Sequence, residues 1–418
     1  MKLIIRNATI IDSTSPYNGE RKDIYISKGK IEKIDVSIPN TEDIKEISGD
    51  NLHVSPGWMD IGCQIGEPGL EHRETLTSAI RAARRGGYTA IAPFPNTVPV
   101  LQQKAALNVL KEVAEREKFH IYPIAAATQD CNGDNITEMF DLHAGGAIAF
   151  SDGLKTIEKN GVLLNALNYI KSFDGLLIHF PQDGHLASGG QMHEGKVSTY
   201  LGMKGIPSVA ESVVLRRDIG LWQYSDSRMC IYGVSTAESA KILKEAKSDK
   251  LSAIVPYLNL VMEDNDLDDF DSNLKVMPPI RSKKDGAELL KALKENTISA
   301  ISSNHYPLDE EAKKLEFTYA KFGASGLETC FAALNGSLNE KIGLQVIVDK
   351  LAHGPRKVLK VEEVSVVEGK VAELTIFDPN MSWSFDKTLS KSDNNPFLGS
   401  QLKGRVIGTY VKSQYFKA

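Results

Sequence analysis

Eight short apolar runs rich in β-branched residues recur through the middle of the chain, at about residues 53–61, 89–94, 119–127, 147–151, 175–180, 229–234, 251–258 and 297–303. Between most of them the apolar residues return at helical spacing: Glu74 to Arg85, Gln103 to Lys118, Gly161 to Phe173, Glu211 to Tyr224, Ala237 to Lys247 and Asp285 to Glu295. Leu327 to Leu338 and Leu344 to Leu351 follow the last run. Strands that read apolar throughout need cover on both faces, and eight strand-plus-helix units close a parallel sheet on itself. The pattern therefore predicts an α/β fold with a closed eight-stranded barrel. An open, doubly wound sheet is the rival, weakened because no Gly-rich phosphate loop follows the first run.

The two ends read differently. Leu3 to Ile11 and Asp23 to Ile34 alternate or run apolar, with turn signals at Asn18-Gly19 and Lys28-Gly29-Lys30. Val371 to Phe377 and Arg405 to Val411 look alike, broken by Pro379, Asn394-Asn395-Pro396 and Gly399. One small β domain assembled from residues 1–54 and 366–418, around a barrel at 55–365, is the expected organisation. With 49 Lys+Arg against 54 Asp+Glu the chain carries a net charge of −5 and no basic block, so it is unsuited to nucleic acid or an anionic membrane. No run of about 18 apolar residues is present, and the start, Met1-Lys2-Leu3-Ile4-Ile5-Arg6, meets a charge before a signal-peptide core could form. Four scattered cysteines, Cys63, Cys131, Cys230 and Cys330, suit a reducing cytoplasm. The acidic stretch from Glu263 to Asp271 invites a calcium-loop reading, but counting from Asp264 the template's Gly and Glu positions hold Asp269 and Lys275, so a solvated loop is expected.

In β/α barrels the reacting groups sit at the C-terminal ends of the strands. Pro56-Gly57 to Asp60 with Glu67-Pro68-Gly69, Pro95-Asn96-Thr97, Glu194-Gly195-Lys196-Val197-Ser198-Thr199 and Val234-Ser235-Thr236-Ala237 fall at or just beyond such ends. With Asn273-Leu274-Lys275-Val276, Pro278-Pro279-Ile280-Arg281-Ser282, Phe322-Gly323, Gly326-Leu327-Glu328-Thr329, Asn395-Pro396-Phe397-Leu398-Gly399 and Leu402-Lys403-Gly404-Arg405-Val406, they resemble the dihydroorotases of the amidohydrolase superfamily over nearly the whole chain. The resemblance implies a (β/α)8 TIM barrel of the metal-dependent hydrolase type plus a composite β-sandwich from both termini. It also implies zinc, and the cyclisation of carbamoyl-aspartate in pyrimidine synthesis.

The departures from that family are specific. Its first-strand His-x-His and the substrate-binding Arg two residues on fall at Gly62, Gln64 and Gly66; its fifth- and sixth-strand metal His fall at Phe180 and Gly233. Its catalytic Asp falls at Asn304, and a substrate-facing His at Leu308. Only Asp152, resembling the metal-bridging Asp, and Asn96, resembling a substrate-contacting Asn, remain of a vestigial pocket. Cys63, His179, Cys230 and His305 stand at odd offsets from the inward positions, so strand alternation predicts that they face away from the mouth. Neither H-x-H, H-E-x-x-H nor C-x-x-C is present, so no metal site and no catalytic residue are expected.

Zinc lowers the pKa of bound water from 15.7 to about 7, so without it hydroxide costs roughly 12 kcal/mol more. Asn304 cannot accept a proton as a carboxylate does. Gly66 and Leu308 remove charge-assisted grips on a substrate carboxylate. Ser235 near a strand-to-helix turn looks like a nucleophile elbow, but with no His-plus-acid partner identifiable, Ser235-Thr236-Ala237-Glu238 reads instead as a capping box, with Ser235 at N-cap. Cys63 reads as a small packed residue, His193 as a solvated or hydrogen-bonded loop residue, and His53 and His120 as structural. Arg84-Arg85 reads as a helix C-terminus.

The expectation is a catalytically inactive homologue without cofactor, a pseudoenzyme. By resemblance it would be a homo-oligomer and a structural or regulatory partner of aspartate transcarbamoylase. The alternatives are an active dihydroorotase or cyclic-amide hydrolase with an atypical metal site, and a protein that binds a pyrimidine intermediate without transforming it.

Overall fold

The computed structural model describes residues 2–40 and 44–418. Met1 and residues 41–43, which belong to the N-terminal segment read above as β structure, lie outside the described residues.

The apolar runs become the staves of a (β/α)8 barrel. Trp58–Ile61, Tyr88–Ala92 and His120–Ile121 pair in parallel; Ile124–Ala126, Ala149–Ser151, Leu176–His179, Arg228–Tyr232, Leu251–Pro256 and Ala300–Ser302 continue the order. The third run is two short pieces rather than one strand, divided at Pro123, which has no N–H to give a ladder. First and last strands meet through Ser302 Oγ donating to Ile61 O at 2.9 Å, Ser303 N to Asp60 Oδ1 at 2.6 Å and Gln64 N to His305 O at 2.7 Å. Alternation sorts the side chains. Met59, Ile61, Ala90, Ala92, Ile178, Tyr232 and Ile254 pack together inside, while Trp58, Ile91, Leu177, Ile231 and Val255 pack outward with the helices.

Helices Leu76–Arg85, Lys104–Arg116, Asn160–Lys171, Val209–Ser225, Ala237–Glu245 and Lys283–Lys294 cover the barrel. Cys330–Ile342, Leu344–Leu351 and His353–Leu359 follow its last strand. Between strands seven and eight the acidic stretch makes 3-10 turns, Asp264–Leu267 and Ser272–Leu274, with Asp271 capping Asn273 N at 2.8 Å.

The composite β-sandwich draws on both ends of the chain. Its strands run in the order Gln414–Lys417, Gln401–Val411, Leu374–Ser384, His53–Pro56, Leu3–Ile10, Arg21–Ser27 and Lys30–Asp35, with Lys45–Ile47 also on Leu3–Ile10. The run expected at 53–61 is therefore divided between the two layers, with Gly57 at the corner. A Cβ there would lie 2.2 Å from Thr89 Oγ1. Leu3, Ile5, Ile24, Val54, Leu374, Ile376 and Tyr410 form a second core. No helix among the described residues is long and apolar enough to cross a membrane.

Two buried polar clusters weld sandwich to barrel. At one, Arg356 donates to Glu373 Oε1 at 2.5 Å, Gly57 O at 2.6 Å and Ala352 O at 3.0 Å, while Thr89 Oγ1 donates to the same Glu373 oxygen at 2.6 Å. At the other, the wholly buried Asp12 accepts from Thr14 N and Oγ1, His353 Nε2, Ser365 Oγ and Val366 N, all within 2.9 Å. Burial pushes the Asp12 carboxyl up, but these donors, His353 foremost, outweigh it and hold the group well below the usual carboxylate range. A depressed native pKa contributes stability that is complete above the unfolded value of about 3.9 and drains away as pH falls toward the native value. Asp12→Asn is expected to lose about 1–3 kcal/mol in urea unfolding at pH 7 and to decline less steeply than wild type from pH 5 to 3. Parallel stability curves for the two proteins would remove Asp12 as the source.

Candidate functional site

Two strand-end glycines set the geometry of the barrel mouth. Gly62 and Gly233 leave their strands at φ +88° and +81°, a region L side chains avoid. A Cβ at Gly62 would lie 2.4 Å from Tyr232 and 2.8 Å from Phe94; one at Gly233 would lie 2.8 Å from Phe180. Phe94 and Tyr232 meet edge to face at 4.8 Å, and with Phe180 they belong to the barrel's inner core. Three aromatic rings thus fill the space between the strand ends.

The polar edge of this plug is satisfied from within. Tyr232 OH bonds Ser302 Oγ at 2.8 Å and donates to Asn304 Oδ1 at 3.3 Å, and its burial pushes the phenol pKa well up. Asn304, at φ +45°, donates from Nδ2 to Met277 O at 3.0 Å. That donation needs an amide, because an ionised carboxylate has no proton to offer a carbonyl.

The other expected pocket residues are dispersed. At Gly66 a Cβ would lie 2.2 Å from Leu70 O and 2.4 Å from Glu74 O, so no side chain fits. Asp152 is buried, its carboxylate accepting from Ala127 N at 3.1 Å, Thr128 N at 2.9 Å and Thr128 Oγ1 at 2.5 Å; burial pushes its pKa up against these bonds. Asn96 Nδ2 donates to Asp152 O at 3.0 Å. Leu308 faces a separate cavity of about 540 Å³ beside Asn394 and Leu398.

A cavity of about 730 Å³ does open at the mouth, and of the nine expected positions only Gln64 and Asn96 line it. Gly62, Phe180, Gly233 and Asn304 lie in the packed layer instead, because the rings raise the floor. The cavity's polar lining also includes Asp130, Lys155, Gln191, Lys275 and Lys321, which sequence reasoning did not assign to a site. The available signal was Lys275 itself, a lone lysine between Leu274 and Val276-Met277.

His179 Nε2 accepts from Ile157 N at 2.9 Å, so its Nδ1 carries the proton given to Asp218 Oδ2 at 2.8 Å, outside the barrel. His305 Nδ1 accepts from Gly326 N at 3.1 Å and its Nε2 lies 3.4 Å from Glu74. Cys63 packs in the outer core. Cys230 corrects the expectation for it: it packs in the inner core below Tyr232. The parity count to Gly233 fails because the positive φ there breaks the alternation. All four cysteine thiols are free and buried, and burial pushes each pKa up.

Ser235 is no elbow. Its N–H and hydroxyl both donate to the buried Glu211, and Arg281 Nε donates to Ser235 Oγ at 3.0 Å. The helix that follows is capped one residue later than expected, by Thr236 accepting from Ser239 N at 3.1 Å, while Glu238 pairs with Arg216. His193 is buried against Arg281 Nη1 at 3.3 Å, and burial plus that charge pushes it down to about 4. His53 accompanies Asn51 O at 2.9 Å and His120 lies 3.4 Å from Glu373, both pushed down by burial. Arg84 and Arg85 do close a helix, but they also bind across the fold: Arg84 stacks 3.5 Å over Phe416, and Arg85 reaches Glu328 at 3.1 Å. Among the described residues no three His, Cys, Asp or Glu side chains converge as a metal-binding group.

A barrel with this composite sandwich is an architecture shared with solved hydantoinases and dihydropyrimidinases. The L-hydantoinase (dihydropyrimidinase) of Arthrobacter aurescens superposes with a TM-score of 0.85 at 20% identity, covering 99% of this chain and 95% of that one. The dihydropyrimidinase of Brevibacillus agri NCHU1002 gives 0.82 at 20% identity, with 99% and 95% covered. Sequence narrows the class. The model of the dihydro-orotase-like family matches residues 52–239. A dihydroorotase of Pelotomaculum thermopropionicum is 37% identical over 98% of this chain and 97% of its own length, and one of Syntrophus aciditrophicus 34% identical over 99% of each. The chain belongs to the dihydroorotase family.

Proposed function

We propose that the chain is a dihydroorotase-like protein of pyrimidine biosynthesis that no longer catalyses the family reaction and acts instead as a structural or regulatory partner of aspartate transcarbamoylase. The observation that carries this reading is the aromatic plug. Zinc is held by nitrogen, thiolate or carboxylate donors at about 2.0–2.3 Å. The positions resembling its ligands offer glycine at 62 and 233, an amide at Gln64 and a ring at Phe180, and the space between them is filled by Phe94 and Tyr232. The residues present do not fit the metal. Asp152 spends its oxygens on the loop at Ala127 and Thr128, and Asn304 is committed as donor and acceptor. A reaction that needs hydroxide at neutral pH and a carboxylate to shuttle protons has neither here.

The division of labour proposed for the chain is residues 1–54 and 366–418 in the sandwich and 55–365 in the barrel, with self-association into a homo-oligomer. The test uses the full-length protein purified with added zinc. Metal content far below one zinc per chain, no turnover of dihydroorotate, and co-elution with aspartate transcarbamoylase are expected. About one zinc per chain together with turnover would overturn the loss of chemistry, and failure to co-elute would overturn the partnership.

A second reading, binding of a pyrimidine intermediate without turnover, is favoured by the 730 Å³ mouth cavity with Gln64, Asn96 and Gln191 amides on its walls. Thermal-shift measurements with dihydroorotate and carbamoyl-aspartate test it, and no stabilisation by either would remove it.

A further inference from the structure

The mouth cavity carries two kinds of unspent bonding group. The first is an amide. Gln64, two residues past Gly62 of the ring layer, lines the cavity and is only 7% exposed. Its backbone N–H is given to His305 O, but its carboxamide makes no hydrogen bond among the described residues, and Oε1 and Nε2 both remain open to the cavity. The other amides on the lining are occupied. Asn96 Nδ2 donates to Asp152 O, while Gln191 Oε1 accepts from Lys275 Nζ and its Nε2 donates to Gly189 O at 3.0 Å. Buried polar groups are nearly always paired, so a carboxamide held open at this depth calls for a partner with both a donor and an acceptor. A cyclic amide edge, C=O beside N–H, meets it in two bonds.

The second kind is positive charge. Lys155 and Lys321 are exposed residues of the lining. Lys155 Nζ gives one bond, to Cys131 O at 3.3 Å, and Lys321 Nζ gives none among the described residues. Lys275 adds charge but no free donor, because its three protons go to Phe317 O, Thr318 O and Gln191 Oε1. Against these three lysines the lining sets one carboxylate, Asp130, whose Oδ1 takes Gln102 Nε2 at 2.7 Å. Two positive charges are left over. Tyr306, Met277 and Phe322 supply apolar surface for a flat ring on the same lining.

We propose that the cavity takes a pyrimidine nucleoside monophosphate, its cyclic amide edge on the Gln64 carboxamide and its phosphate on Lys155 and Lys321 at the rim. This rests on the reading of the cavity as a site that binds a pyrimidine without turnover, and names the ligand class. A phosphate monoester carries about 1.5–2 negative charges near neutral pH and so meets the excess, which a single carboxylate only halves. Three acceptor oxygens suit two lysines with protons to spare. The volume of about 730 Å³ lies within the roughly 300–1,000 Å³ of pockets that hold drug-sized ligands, so it has room for a sugar and phosphate beyond one ring.

Isothermal titration of the full-length protein with uridine 5′-monophosphate, uridine, inorganic phosphate and dihydroorotate tests this. The monophosphate should bind at least tenfold tighter than uridine or phosphate, and added salt should weaken it while leaving uridine unchanged. Lys155→Gln with Lys321→Gln, both at exposed positions, should cost the monophosphate about tenfold and uridine nothing. Gln64→Leu should weaken monophosphate and uridine alike and leave phosphate unchanged. Monophosphate binding no tighter than uridine overturns the proposal, and so does an unchanged monophosphate affinity in either variant. Binding matched by phosphate alone marks an adventitious ion only and overturns it equally. Dihydroorotate bound without the monophosphate ends the proposal and leaves the pyrimidine-binding reading standing; neither bound ends both.

Discussion

Truncating Arg356 to methionine is expected to cost the protein about 3–5 kcal/mol, read as a large fall in the urea midpoint with the m-value unchanged. The guanidinium is 2% exposed and its partner Glu373 8%. Removing the cation leaves a carboxylate at the barrel–sandwich seam with only Thr89 Oγ1 and the imidazole of His120, 3.4 Å away, for company. It also strips Gly57 O of its donor at the corner where the chain passes from one layer to the other. An uncompensated buried charge is what makes the single change severe, so the double variant Arg356→Met with Glu373→Leu should recover much of the loss. A single variant as stable as wild type would mean that the pair does not weld the seam.

Restoring one histidine should not restore a metal. Gly62→His places a Cβ within 2.4 Å of Tyr232 at a backbone φ of +88°. Overpacking costs about 1–3 kcal/mol and a strained φ a similar amount, so about 2–6 kcal/mol of stability should disappear without any zinc uptake. Metal analysis and urea unfolding of the same preparation check both halves. A folded variant of unchanged stability, or one that carries stoichiometric zinc, would contradict the filled mouth. Opening the site would require Tyr232 and Phe180 to shrink together, since each ring occupies the space another residue's Cβ would need.

Much of the barrel was legible because its signal is repetitive. Helix Leu344–Leu351 falls where its apolar spacing put it, and the strands within a few residues of their runs. What was not legible depends on contacts between distant segments. The strand expected through 119–127 breaks at Pro123, and the run at 53–61 serves two layers because Gly57 must pass under Thr89. Thr236 rather than Ser235 caps its helix because Glu211, 24 residues away from Ser235, claims the Ser235 hydroxyl. The motif positions flagged Gly62 and Gly233 as unusual, yet nothing local says that Phe94 and Tyr232 occupy the freed space. Lys275 stood inside a noted motif, and its meaning appears only when the carbonyls of Phe317 and Thr318 come within reach.

The pairing of His53–Pro56 with Leu374–Ser384 has a consequence for biosynthesis. At roughly 5–20 residues per second, a ribosome needs on the order of 15–60 s between delivering one strand and delivering its mate. Throughout that interval the early strands present a bare, sticky margin to other nascent chains, so yield in a cell should depend on chaperone capacity more than on the final fold's stability.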